Sequence, residues 1–282
     1  MLTIMEYYTE SNHFIGRRIG RGLGTTAHWS KALPDHLIVF IHGFTGTAEG
    51  TWFDVASELR DDVAFKHTDV LFIGYDSTKS RALISARLIG GILREFITSP
   101  GDQANKHLYF IKRRPDFRYK RVLIVCHSLG AALMRRIAVD LAQRQSQEFD
   151  DIEIVLFAPA HKGASLHTLS EDIISRGFGG SLLAWFRNLF NFRKQVLLDL
   201  SPGSEFVAAL EADTNTEIAR RGRLSLLVAK STFFGVYENV VEVADFAQDP
   251  IFETLENEDH TTLVKTSNQR RHVLQVCQEF VS

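Results

Sequence analysis

The sequence predicts an α/β fold, one mostly parallel sheet with helices on both faces, and three observations carry that prediction. Apolar runs rich in β-branched residues recur at residues 37–41, 70–73, 122–125 and 152–157, the last interrupted only by Glu153. Continuous rather than alternating apolar runs are the mark of strands buried on both faces. Segments of helical periodicity lie between these runs, and strand–helix alternation is the pattern of a parallel sheet with crossover helices. Most runs also close on Gly, Ser, His or Asp, at the sheet edge where such folds bind their ligands.

Length and composition set the bounds. At 282 residues, 45% hydrophobic and 23% charged, the chain is read as one domain over residues 1–282. The net charge of -2 gives no bulk field to recruit nucleic acid, and no nucleic-acid partner is expected. The arginine doublets at 113–114, 135–136, 220–221 and 270–271 are scattered and read as solvated. Two cysteines, Cys126 and Cys277, lie in apolar settings and imply no disulfide framework, which suits a reducing, cytoplasmic compartment. Residues 1–10 carry acids and no long apolar run, unlike a secretory signal, and no stretch reaches the length of a membrane span.

In chain order, residues 1–35 suggest turns and an edge hairpin. The strand at 37–41 ends in the glycine-flanked loop His42-Gly43-Phe44-Thr45-Gly46, and a helix follows over 52–59. The strand at 70–74 leads to a helix over 82–97, broken at Ser99-Pro100-Gly101. Residues 103–119 are polar and basic and read as a surface excursion. After the strand at 122–127 comes a small-residue helix to about 144, then the strand at 152–157. Residues 166–223 offer helices but no strand and read as an insertion above the sheet. Strands are expected at 224–229 and 252–256, and a last helix over 267–280.

The chemistry centres on Cys126-His127-Ser128-Leu129-Gly130. A serine between an apolar strand and a helix sits on a tight turn with its hydroxyl lifted above the sheet edge. Small residues are needed two places on either side; Gly130 meets this fully and Cys126 only approximately. The helix beginning at Leu129 adds unpaired N–H groups beside the serine oxygen. A serine hydroxyl needs a base, and the base needs a carboxylate to fix its tautomer. His260, in a polar loop after the last strand, is the best base among eleven histidines. His127 should point away from Ser128 and reads as structural, and His42 as a support of its loop. His161 and His167 lack a third ligand at metal spacing, so no metal or cofactor is expected. Glu238, beyond the strand placed before it, is the preferred acid; Asp245 and Asp213 remain alternatives. The N–H of Leu129 and that of Phe44 are the two candidate donors for an oxyanion.

Taken together these stretches resemble the α/β-hydrolase superfamily, in particular its lipase-like serine esterases, the group that includes the inositol deacylases of GPI anchors and bacterial lipase-like enzymes. Ile41-His42-Gly43-Phe44-Thr45-Gly46 is similar to that group's oxyanion loop, and His127-Ser128-Leu129-Gly130 to its nucleophile turn. Gly74-Tyr75-Asp76-Ser77, Ala158-Pro159-Ala160 and Leu200-Ser201-Pro202-Gly203 resemble further landmarks. Glu238-Asn239-Val240-Val241 is similar to an acid loop that usually carries aspartate, and Asp259-His260-Thr261-Thr262-Leu263-Val264-Lys265 to the base loop. The resemblance implies an α/β-hydrolase fold with a helical cap or lid at about 166–223. It also implies a serine hydrolase that cleaves an acyl ester through Ser128, Glu238 and His260 by way of an acyl-enzyme. Cysteine for glycine at 126 and glutamate for aspartate at 238 are the two departures.

The ester itself is not written in these motifs. Within the insertion, Leu182, Leu183, Trp185, Phe186, Leu189, Phe190 and Phe192 fall on one helical face and Arg187, Asn188, Asn191 and Lys194 on the other. A cap helix packed on the domain accounts for this pattern, and so does a lid that opens on lipid. The second predicts a lipid or phospholipid ester as substrate, with transient membrane-surface contact through Trp185, Phe186 and Phe190. A non-catalytic binding protein of the same fold and an acyltransferase are the competing readings.

Overall fold

The structure is a computed structural model that describes residues 8–11, 13–19, 24–108, 111–145, 152–165, 195–221, 226–265 and 271–282. Its strands are β1 (Tyr8–Glu10), β2 (Phe14–Arg18), β3 (Thr26–Ser30), β4 (His36–Ile41), β5 (Thr68–Ile73), β6 (Arg121–His127), β7 (Ile152–Phe157), β8 (Ser231–Gly235) and β9 (Glu253–Leu255). They form one sheet in the order β1-β2-β3-β5-β4-β6-β7-β8-β9. β1, β2 and β3 are antiparallel to their neighbours, and every pair from β5 to β9 is parallel.

The helices are α1 (Phe53–Asp61), α2 (Ala82–Thr98), α3 (Pro100–His107), α4 (Leu129–Gln143), α5 (Gln195–Asp199), α6 (Glu205–Arg221) and α7 (His272–Val281). The chain moves from β4 to β5 in one direction along the sheet and from β5 to β6 and β7 in the other. Right-handed crossovers therefore put α1 on one face and α2 and α4 on the opposite face. The packing agrees: α1 meets α7, while α2 and α6 both meet α4. Covered on both sides, Ile38, Val39, Phe40 and Ile41 of β4 and Ile124, Val125 and Cys126 of β6 have no exposure at all.

Three sequence expectations are corrected. The strand expected at 224–229 is instead β8, at Ser231–Gly235, although Leu226, Leu227 and Ala229 are buried; residues 224 and 225 lie outside the described residues. The backbone of this turn is satisfied by side chains rather than by a ladder. Arg135 donates to the carbonyl oxygen of Leu227, and Ala229 N donates to Asp249 Oδ1 at 2.8 Å. Burial without a strand partner thus mimics a strand in the sequence.

The arginines read as solvated are in part buried. Arg113 grips Asp69 through both terminal nitrogens, and Tyr119 donates to the same carboxylate at 2.6 Å. Arg135 pairs with Asp249 at 2.5 Å, and Arg136 bridges Asp140 and Asp213. A planar guanidinium can be buried when a carboxylate meets it with two hydrogen bonds, which the sequence does not reveal. The polar stretch 103–119 therefore contributes a clamp on β5 rather than a free excursion.

The N-terminal region also holds more than the expected hairpin. β3 is buried throughout because Trp29 stacks on Phe96 and His107, and because Ser30 N donates to Asp69 Oδ1 at 2.9 Å.

Candidate active site

β6 delivers its last residue, His127, directly into Ser128, and α4 begins at the next residue. Ser128 has φ +51° and ψ -121°, a conformation a non-glycine residue adopts only where its surroundings impose it. Its N–H donates to Phe157 O at 3.0 Å, and its carbonyl accepts from Ala131 N at 3.0 Å and Ala160 N at 3.3 Å. Gly130 permits the tight pass of β4 behind the turn: a Cβ there would stand 2.5 Å from the carbonyl oxygens of both Ile41 and His42. Cys126 is accommodated fully buried in β6, in register with Ile41 and Leu156, and burial pushes its thiol pKa up, so it stays a protonated packing group.

The loops after β8 and β9 then bring a carboxylate and an imidazole to this serine. Gly235 ends β8 with no room for a side chain, since a Cβ would lie 2.3 Å from Glu258 O. Val236 N and Tyr237 N donate to Leu255 O and Glu258 O at 3.0 and 2.9 Å, so the two loops are stitched together through their backbones. Asp259 closes the second loop on itself, its Oδ1 accepting from the N–H groups of Thr261 and Thr262 at 2.9 and 2.8 Å. Between these bonds His260 is held with Nε2 3.0 Å from Ser128 Oγ. Its Nδ1 lies 3.0 Å from both carboxylate oxygens of Glu238.

Glu238 is itself fixed, its Oε1 accepting from Val240 N at 2.9 Å and Val241 N at 3.0 Å. The side chains of Glu238 and His260 are 1% and 6% exposed, so their interaction is shielded from solvent. Neither alternative acid reaches His260: Asp213 on α6 binds Arg136 at 2.5 Å, and Asp245 is exposed on the irregular segment after Val241.

On the other side of Ser128 stands the loop after β4. Gly43 lets it approach closely, a Cβ there falling 2.9 Å from Ser128 Cβ. The His42 ring stacks on Tyr75 at 4.3 Å and bonds Gly43 O through Nδ1 at 2.8 Å, while Tyr75 OH donates to His42 O at 2.7 Å. Burial drops the His42 pKa to about 4, so the ring is neutral at pH 7. Phe44 lines the cavity over Ser128, and Leu129 is wholly buried as the first residue of α4, where its own N–H lies too early in the helix to have an intrahelical acceptor. The cavity measures about 330 Å³ and is lined further by Thr45, Thr47, Thr51, Leu200, Val240 and Lys265.

Two supporting residues were given no contact from the sequence. His127, read as structural, donates from Nε2 to the carbonyl oxygen of His260 at 2.8 Å. Lys265 reaches back to Gly50 O and Thr51 O at 3.0 and 2.7 Å, tying the histidine loop to the segment after the glycine loop. The only sequence signal for either was its place in a motif; the contacts arise between segments far apart in the chain. Among the described residues no three His, Cys, Asp or Glu side chains are grouped as metal ligands. His167 and the stretch with Trp185, Phe186 and Phe190 lie outside the described residues.

Residues 31–160, a little under half of the chain, match the family described as "Putative serine esterase (DUF676)". No curated protein matches the sequence. Among solved structures, the chain is similar to the peroxisomal α/β-hydrolase Lpx1 of Saccharomyces cerevisiae, with 14% identity, a TM-score of 0.56, and coverage of 96% of this chain and 90% of that one. It is also similar to the Bacillus licheniformis lipase BlEst2, at 17% identity and a TM-score of 0.50 over 90% of this chain and 97% of that one. A soluble variant of the monoglyceride lipase of Saccharomyces cerevisiae aligns at 10% identity and a TM-score of 0.51, over all of this chain and 95% of that one. At these identities the structural likeness speaks for the fold alone. The chain has the α/β-hydrolase fold, and its residues 31–160 match a family described as "Putative serine esterase".

Proposed function

We propose that the protein is a serine hydrolase acting on the acyl ester of a lipid, with Ser128 as nucleophile, His260 as base and Glu238 as the acid that orients it. One chain of distances supports this: Ser128 Oγ to His260 Nε2 at 3.0 Å, and His260 Nδ1 to both Glu238 oxygens at 3.0 Å. With Nδ1–H donating to Glu238, Nε2 is left as the acceptor facing the hydroxyl.

The reaction follows from that tautomer. Ser128 Oγ attacks the ester carbonyl carbon while its proton passes to His260 Nε2, and the imidazolium is stabilised by the Glu238 carboxylate. The carbonyl oxygen becomes an oxyanion, held by the N–H groups of Phe44 and Leu129; such a donor contributes about 10²–10³ in rate. His260 then gives its proton to the departing alkoxide, and the alcohol leaves an acyl-Ser128. Water attacks that ester, His260 takes its proton, and collapse releases the carboxylic acid with the proton returned to Ser128.

A lipid ester is favoured by the sequence pattern of residues 182–192, in which Trp185, Phe186 and Phe190 share the apolar side of a helical wheel and would supply the surface contact. The insertion at about 166–223 is the cap of a single domain, and within it α5 leads into Leu200, on the wall of the Ser128 cavity. Two reduced, buried cysteines accord with a cytoplasmic setting.

A fluorophosphonate probe tests the assignment. Wild type should take up one label on Ser128 and Ser128→Ala none, with hydrolysis of short-chain esters lost and the thermal midpoint unchanged. Retained turnover in a clean Ser128→Ala preparation defeats it.

A further inference from the structure

The lining of the Ser128 cavity falls into two patches of different character. One is apolar and consists of Ala164, Leu200 and Val240. Backbone bonds knit it together, Ala164 N donating to Leu200 O at 2.9 Å and Ser165 N to Val240 O at 2.7 Å. The other is the loop after β4, where Gly46 and Gly50 stand beside Thr45, Thr47 and Thr51. Lys265 ties this loop to the one that carries His260.

The second patch offers hydroxyls rather than free charge. Among the described residues Thr51 Oγ1 has no hydrogen-bond partner. It stands over Gly46, where a Cβ would fall 2.5 Å from it. Thr47 Oγ1 accepts from Gly50 N at 3.1 Å, which leaves its own proton to donate. Among the described residues no carboxylate lines the cavity, and Lys265 is its one lysine or arginine. The Lys265 ammonium is engaged by Gly50 O and Thr51 O at 3.0 and 2.7 Å, and the Asp54 charge acts on it as well. Neutral donors and acceptors, with the single cation already engaged, suit a neutral group rich in hydroxyls better than an anionic one.

The reaction decides on which side of the ester that group lies. His260 Nε2 gives its proton to the departing oxygen, so the alcohol leaves against the loop that carries His260. Thr261 and Lys265 of that loop line the cavity, and Lys265 joins it to Gly50 and Thr51. Ala164, Leu200 and Val240 are then left for the acyl chain.

We propose that the ester cleaved at Ser128 is that of a neutral polyhydric alcohol, glycerol or a sugar, whose remaining hydroxyls bond Thr47 and Thr51 while the acyl chain lies on Ala164, Leu200 and Val240. This rests on the serine-hydrolase function proposed above and adds the identity of the leaving group.

The test compares soluble butyrate esters on the full chain: monobutyrylglycerol, butyryl glucose, monobutyrylglycerol phosphate and methoxyethyl butyrate, whose alcohol has similar acidity but no free hydroxyl. For one of the two neutral polyol esters kcat/KM should exceed that for the methoxyethyl ester by about tenfold, and the better of the two tells glycerol from sugar. The phosphate should bring no gain. Thr51→Val should cut the polyol preference about three- to tenfold, the worth of one hydrogen bond, and Thr51→Ser should restore it. Leu200→Ala should instead shift the preference between butyrate and octanoate and leave the alcohol preference as it was. Equal rates on polyol and methoxyethyl esters overturn the proposal, and so does a Thr51→Val loss shared equally by both. A gain from the phosphate also overturns it, because Lys265 would then be reading an anion. If wild type turns over none of the esters and Ser128 takes no fluorophosphonate label, the serine-hydrolase reading falls and this inference with it. A labelled Ser128 without polyol preference defeats the inference alone.

Discussion

Nε2 of His127 donates to the carbonyl oxygen of His260 across 2.8 Å, with the two rings 4.9 Å apart. The residue that precedes the serine thus steadies the backbone of the residue that faces it. Burial and the neighbouring His260 hold the His127 pKa well below the ordinary value, so the ring is a neutral donor at pH 7. Trp52 packs edge-on against it. His127 therefore couples β6 to the histidine loop, and it also lines the Ser128 cavity.

His127→Phe keeps the ring but loses this hydrogen bond. We expect kcat to fall about 10- to 100-fold with KM little changed, since misplacing a reacting group by a fraction of an ångström carries a cost of that order. His127→Gln, which can still donate, should recover part of the rate. Steady-state kinetics on a soluble ester decides it; a loss confined to KM or to thermal stability would speak against positioning.

Glu238→Gln should lower kcat by about 10³- to 10⁴-fold, because an amide in that place favours the wrong tautomer and cannot stabilise an imidazolium. Asp213→Asn and Asp245→Asn should leave kcat near wild type, the first with a modest loss of stability through Arg136. A crippled Asp245→Asn beside a mild Glu238→Gln would reassign the acid.

Positions 126 and 130, two places either side of the serine, should respond very differently. Gly130→Ala forces a Cβ against two backbone carbonyls at 2.5 Å, atoms that cannot swing aside, and should cost more than about 3 kcal/mol or prevent folding. Cys126→Ala empties only a sulfur-sized volume and should cost about 1–2 kcal/mol with kcat unchanged. Urea melts alongside activity assays separate the two.

Acid should destabilise the fold through its buried neutral histidines. His42 has its pKa lowered to about 4, and His127 and His161 lie well below the usual value, all chiefly through burial. Their folded pKa values are depressed below the unfolded one, so between about 6.5 and 4 the unfolded chain binds more protons. Stability is then fully present above pH 6.5 and declines as pH falls, by about 3 kcal/mol at pH 4 for His42 alone. His161, packed on Phe246 at 4.4 Å with Arg135 and Lys162 opposing its charge, offers a control. His161→Phe should flatten the slope of urea-melt free energy between pH 6.5 and 4.5, and an unchanged slope would remove His161 from this account.

The sequence by itself determined the parallel centre of the sheet and the sites of its reactive loops. β4, β5, β6 and β7 are apolar on both faces, so their runs are legible without context, and each loop that follows carries its chemistry as a local motif. The serine turn was legible because strand, small residues and helix must adjoin there for steric reasons. What only the tertiary structure decided lies in contacts between distant segments. Leu226, Leu227 and Ala229 are as apolar as a strand, but Arg135 and Asp249 take the hydrogen bonds a ladder would have made. Arg113 looks like any surface arginine until Asp69, 44 residues away, meets it in the interior. The choice of Glu238 over Asp213 or Asp245 is likewise a matter of reach: Gly235 admits the Glu258 carbonyl, the two loops pair, and only one carboxylate is carried to His260 Nδ1. Hydrophobic burial is written residue by residue in the sequence, whereas the pairing of charges and the meeting of loops depend on distances that exist only once the sheet has formed.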